Sequence, residues 1–239
     1  MQSTQALDLS HEAHRGGTWL RDVILGGQDG LVNVLEIALG VSAAGATNHI
    51  LVAAALAATF AESISMGAVA YTSSLAQRDH YQSELARERR EMVEVHEEER
   101  NEIRQIYSAK GFHGELLERI VETITGDDDT WLSVMMSEEL GLQPVDTNAV
   151  LRTSVIVTIA AVIGSLIPLI PFLLFPGDKS TAVILALALS AAALFGVGAY
   201  KARTLVGDWR TSGIQMVAIG IGAALVGFLV GRIFHTTGA

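Results

Sequence analysis

Five stretches of the chain stay apolar for about 20 residues or more: Trp19–Ala44, Ile50–Ser74, Thr153–Phe175, Thr181–Tyr200 and Gly213–Phe234. A helix rises ~1.5 Å per residue, so each is long enough to cross ~30 Å of hydrocarbon. The last three carry no charge in their interiors. Between the second and third stretches the pattern becomes polar and helical. Residues 76–107 are rich in Glu, Arg, Ala and Leu, and read as a helix continuing straight out of the second span. A further helix covers Gly114–Thr125, a turn follows at Gly126-Asp127-Asp128-Asp129, and a last helix covers Thr130–Leu140. The pattern predicts an all-α polytopic membrane protein. It has five transmembrane helices and a three-helix cytosolic domain between helices two and three. The expected divisions are a polar N-terminal tail (1–18), transmembrane helices 1–2 (19–75), the acidic helical domain (76–150) and transmembrane helices 3–5 (151–239). The tail lacks the charged-then-apolar layout of a secretory signal.

Charge sharpens this picture. Half of the 239 residues are hydrophobic, yet the formal net charge is −10. Residues 76–150 hold 18 acids against 8 bases, while the rest of the chain holds 8 of each, so one block carries the whole excess. Lys and Arg then orient the spans. With the N-terminus inside, the inner side holds Arg15, Arg21, nine bases from Arg78 to Arg152, Lys201, Arg203 and Arg210, and the outer side holds Lys179 and Arg232. The acidic block is therefore expected to be cytosolic, with the C-terminus on the far side. The absence of cysteine excludes disulfides, cysteine-based zinc and iron–sulfur sites and a thiol nucleophile. The acidic balance argues against nucleic-acid binding.

Acids also stand where the membrane should exclude them. Asp22, Asp29 and Glu36 recur at steps of seven, ~20° short of two full turns, so they line one stripe with rungs ~10.5 Å apart. An Asp at mid-bilayer costs roughly 2.5–3.5 kcal/mol on insertion scales. The second stretch adds Glu62 and, four residues on, Met66. No Lys or Arg lies in the interior of a span to neutralise these acids. Either they are protonated and hydrogen-bonded to groups such as Asn33 and Gln28, or the missing positive charge is a substrate: a cation, a proton or both. Met66 is either a packing residue or a thioether ligand, which would favour a transition metal over Mg²⁺ or Ca²⁺. Gly26 and Gly30 flank Asp29 with the small-xxx-small spacing that admits another helix, or a second copy of this one. Pro168 and Pro171 predict a kink in the third span.

In the acidic block, Glu88 and Glu91 are three apart, as are Glu99 and Glu102. On one straight helix all four fall within an arc of about 80°. A bend near Val93–His96 would preserve each pair. Glu94, Glu97 and Glu98 read as solvated charges, with Arg87, Arg89, Arg90, Arg100 and Arg104 available as partners. Further on, Met135 and Met136 precede Glu138 and Glu139, and a mixed carboxylate–thioether set suits Fe²⁺ or another first-row divalent ion. A ferritin-type di-iron centre needs Glu-x-x-His, and no histidine here has Glu three residues before it. His-Glu-x-x-His and Gly-x-x-x-x-Gly-Lys are also absent, which removes zinc-peptidase and P-loop readings. Without an ATP site, transport would draw on an ion gradient.

The stretches Asp22–Asn33 (DVILGGQDGLVN) and Ala61–Ala70 (AESISMGAVA), the Glu88/Glu91/Glu99/Glu102 spacing and Met135-Met136-Ser137-Glu138-Glu139 together resemble the vacuolar iron transporter family, over about residues 14–234. The resemblance implies a homodimer of five-helix protomers with the transport path at the dimer interface. It implies Asp29 and Met66 as metal ligands in the membrane, with Asp22, Asn33, Glu36 and Glu62 on the path. It implies Glu88, Glu91, Glu99, Glu102, Met135, Met136 and Glu139 as metal ligands in the cytosolic domain. Members often place a proline before the second glutamate pair, where this chain has Val95-His96-Glu97-Glu98. The implied activity is proton-coupled export of Fe²⁺, and of Mn²⁺, from the cytosol, with no cofactor beyond the transported ions. Alternatives are an exporter mainly of Mn²⁺ and a non-transporting, membrane-anchored metal sensor or buffer. The membrane would be the plasma membrane in a prokaryote, to which the short N-terminus points, or the vacuolar membrane in a eukaryote.

Overall fold

The computed structural model describes residues 15–145, 147–204 and 207–237; the N-terminal tail up to residue 14 lies outside them. The described residues form helices and connecting turns, with no strand. In chain order these are α1 (Arg15–Ala43), α2 (Asn48–Glu94), α3 (His96–Ala109), α4 (Gly114–Thr125), α5 (Asp128–Val134), a π-helical turn (Met135–Glu139), α6 (Thr147–Leu174), α7 (Lys179–Thr204) and α8 (Trp209–Thr237). Five of them, α1, α2, α6, α7 and α8, are long and apolar enough to cross a membrane. The all-α polytopic architecture is therefore the one the hydropathy pattern predicts. Two compact units result, one holding residues up to 70 and from 152 onward, the other residues 71–151. The long helix α2 contributes to both.

In the membrane-spanning unit, α1 packs against α6, α7 and α8. A Cβ at Gly26 or Gly30 would collide with the backbone oxygens of Val157 and Ala161 on α6. The small-xxx-small pair flanking Asp29 therefore admits α6 of the same chain. The pair Gly227/Gly231 does the same for α8, against the backbone of Glu36 and Gly40. Val34, Leu35, Leu51, Leu169 and Phe172 form the buried centre. Apolar side chains also cover the outside: Ile64 is 68% exposed, Ile184 66% and Phe234 69%. A water-facing helix would carry polar residues there, so this surface is built for lipid. Pro168 and Pro171 lie within α6, which continues through both.

The second unit closes around Met92, Ile103, Leu117, Val121, Trp131, Leu132, Met135 and Met136. Its entry helix does not run straight to residue 107. It breaks at Val95 (φ −128°, ψ 39°), and α3 starts at the next residue. No proline is needed for this break. The 96–107 segment gains a buried face by leaving the helix axis, since Glu99 and Ile103 are its buried residues. Asp127 caps α5 by accepting a hydrogen bond from the Thr130 amide at 2.8 Å. Gly111 and Gly114, at φ +96° and +61°, turn the chain from α3 into α4.

Candidate metal sites

The break at Val95 determines what the glutamates can do. On a straight helix Glu88 and Glu99 would be ~16.5 Å apart along the axis. Instead Glu88, Glu91 and Glu99 each offer a carboxylate oxygen, and these atoms all lie within 4.8 Å of one another. Glu99, Glu102 and Glu139 form a second triad by the same measure. Glu99 belongs to both, so five carboxylates form one knot. Glu88 and Glu99 are buried, at 1% and 5% exposure, and each has an Oε2 with no hydrogen-bond partner. Arg87 is the cation that meets the knot, reaching Glu88 and Glu91 at 3.3 Å each and Glu84 at 3.0 Å.

One guanidinium cannot balance five carboxylates. Burial, followed by the charges of Glu102, Glu88, Glu139 and Glu91, raises the Glu99 carboxyl to a pKa of about 7. Glu139 lies at the open edge of the knot, but its carboxyl meets Glu102. Burial of that carboxyl, with the charges of Glu102 and Glu88, raises it to about 7 as well. Near neutral pH the knot therefore holds protons that a divalent cation can displace. Met135 and Met136, 0% and 2% exposed, lie in the apolar core of the same unit, on a π turn that packs against α3. That turn is closed by the Leu140 amide donating to the Met135 carbonyl at 3.2 Å. The structure thus gathers Glu88, Glu91, Glu99, Glu102 and Glu139, and places two soft donors on the turn that carries Glu139. Glu94, Glu97 and Glu98 stay on the solvent side.

The membrane-spanning unit gathers acids differently. Glu62 on α2 lies within side-chain hydrogen-bonding reach of Asn33 and Asp29 on α1, with Glu36 as a further charged neighbour. Glu36 in turn neighbours Asp29. The Oε2 of Glu62 is buried and has no partner. Asp22 stands apart and accepts a hydrogen bond from Thr153 Oγ1 on α6 at 3.0 Å. Met66 is half-buried, one turn along α2 from Glu62. Asp29 itself is exposed in the single chain.

A family model described as the VIT family matches residues 20–232. The chain belongs to the VIT family. It is 32% identical over 228 residues to vacuolar iron transporter 1 of Arabidopsis thaliana, covering 95% of this chain and 91% of that one. It is 34% identical over 197 residues to vacuolar iron transporter 1 of Eucalyptus grandis, covering 82% and 79%. It is 32% identical over 220 residues to the vacuolar iron transporter of Plasmodium falciparum (isolate 3D7), covering 89% and 81%.

For this VIT-family chain, two contacts differ in how far the sequence announces them. The Thr153–Asp22 bond joins residues 131 apart, and no local pattern announces it. The role of Glu84, which shares Arg87 with the knot, was legible in its i,i+3 spacing from Arg87.

Proposed function

We propose that this chain is a secondary transporter that moves Fe²⁺, and Mn²⁺ with it, out of the cytosol in exchange for protons. The observation that carries this reading is the grouping of Asp29, Glu36 and Glu62 around Asn33 inside two spans, with no Lys or Arg in the interior of any span. Uncompensated acids at that depth are retained where a cation passes. Family membership supports the same substrate class, because the relatives are named for iron. In this reading the knot of glutamates captures metal on the cytosolic side, as the Lys and Arg distribution orients the chain. Met135 and Met136 add soft donors to it. Asp29 and Met66 then bind the ion within the membrane, and Asp22, Asn33, Glu36 and Glu62 line its path. Protons arriving from the far side release it.

An exposed Asp29 in an apolar span also supports a homodimer. Facing lipid would be expensive for it, whereas a second copy placed on that face would enclose a polar path between protomers. The membrane is the plasma membrane in a prokaryotic source and the vacuolar membrane in a eukaryotic one. Purified chain in proteoliposomes tests the coupling. Fe²⁺ should enter when the lumen is acidic and stop when an ionophore dissipates the gradient. Uptake indifferent to the gradient would refute proton exchange. Bound metal without any flux would favour a sensor.

A further inference from the structure

The membrane-spanning unit carries an apolar groove of about 660 Å³ between α1, α6 and α7, within the usual size range of ligand pockets. Trp19, Ile156 and Tyr200 line one end, and Leu31, Ile167 and Ala193 line the other. From Trp19 to Leu31 is ~18 Å of helix, about the depth of one leaflet. Apart from the Trp19 and Tyr200 heads, Gln28 is the only polar side chain among the described lining residues. Asp22, Asp29, Glu36 and Glu62 do not line it, so it is separate from the acidic path.

The Trp19/Tyr200 end has a charged collar. Arg152 lies one turn before Ile156 on the same face of α6, and Arg203 lies one turn beyond Tyr200 on α7. Lys201 and Arg21 flank them. Arg203 is held over the Trp209 ring at 5.5 Å, with Arg210 on the same ring at 5.2 Å. The ion pairs among the described residues involve Arg78, His80, Arg87, Arg104 and Lys110, and none of these five collar cations.

We propose that this groove is a binding site for one anionic phospholipid of the leaflet on the Arg152/Arg203 side. One acyl chain fills the groove, and the headgroup phosphate sits between Arg152 and Arg203. Three features agree on this occupant: an apolar slot one leaflet deep, aromatic heads at the level of the membrane interface, and guanidiniums at the headgroup level that make no ion pair among the described residues. A headgroup phosphate supplies the counter-charge for these cations.

Gly196 provides a clean block. It lines the groove, and a Cβ there meets no atom within 4 Å, so Gly196→Leu projects into the slot and obstructs it with no clash at Cβ. The test uses purified full-length chain in detergent, offered phosphatidylglycerol or phosphatidylcholine with identical acyl chains. Native mass spectrometry reads retained lipid, and melting temperature reads stabilisation. Wild type should retain one phosphatidylglycerol per chain, with a preference over phosphatidylcholine of roughly thirtyfold from two arginines. Arg152→Gln/Arg203→Gln should lose the preference but still retain a lipid. Gly196→Leu should retain neither lipid and keep its oligomeric state. Equal retention of the two lipids by wild type would overturn the proposal. So would unchanged retention in Gly196→Leu, or dissociation of an oligomer by Gly196→Leu, which would make the groove a protein interface.

Discussion

The two acidic regions of this chain solve opposite problems. In the membrane-spanning unit Asp29, Glu36 and Glu62 gather from two helices while Asp22 stands apart, with no Lys or Arg in the interior of a span. In the 71–151 unit the acids come in pairs that a helix break folds into one knot of five. A small group of acids at one depth and a lone acid two turns away let a cation or proton step from one to the other. Clustered acids bind one cation strongly and repel each other without it. Fewer acids at two depths therefore suit passage, and five in one knot suit capture.

The largest expected effect lies in the membrane. Glu62→Gln keeps the shape and the reach to Asn33 but removes the charge. At an ion contact worth roughly 3–4 kcal/mol, flux should fall on the order of a hundredfold or more. Metal bound to the 71–151 unit, counted by equilibrium dialysis, should not change. Full flux in this variant would break the division between the regions.

Next comes Glu99→Gln in the knot. The Glu99 carboxyl is raised to about 7 in the folded chain, against the 4.5 of a solvated glutamate. Between those pH values the folded state holds more protons than the unfolded state, so metal-free stability falls as pH rises through that window. Glu99→Gln should therefore raise metal-free stability at pH 8 by about 1–3 kcal/mol and leave it unchanged near pH 4. Its metal affinity should fall at least about tenfold, or roughly 1.4 kcal/mol. Thermal melts with and without Mn²⁺ read both effects. In wild type, metal affinity should rise as pH climbs through about 7, where Glu99 and Glu139 lose their protons.

A smaller effect separates Asp22 from the main group. Thr153→Val removes the hydroxyl that donates to Asp22 and should cost about 1 kcal/mol of stability, seen in a melt. The smallest is Glu97→Gln, on the solvent side of α3, which should stay within about 0.5 kcal/mol of wild type and bind metal normally. A large loss at Glu97 would mean that the knot extends further than Glu88, Glu91, Glu99, Glu102 and Glu139.

Periodicity and length made the spans legible, because a 20-residue apolar run has few alternatives. The stripe of Asp22, Asp29 and Glu36 was legible for the same reason, since one helix fixes its geometry. The knot was only half legible. The spacing within each glutamate pair marked the pairs, but their meeting depends on the break at Val95, which no proline or glycine signals. That break follows from burying Ile103 and Glu99 in a tertiary core. The partner of Gly26 and Gly30 could likewise not be read from α1 alone. The spacing required a close neighbour, and only the fold shows it to be α6.

If the acids of the spans carry metal and the acids of the knot collect it, removing one of each should change flux in different ways. The most direct test is Fe²⁺ uptake into acid-loaded proteoliposomes over a range of metal concentrations, for Asp29→Ala beside Glu102→Ala. Asp29→Ala should show no flux at any concentration. Glu102→Ala should show a higher half-saturating concentration with the maximal flux retained. Normal maximal flux in Asp29→Ala would contradict the role given to the spans.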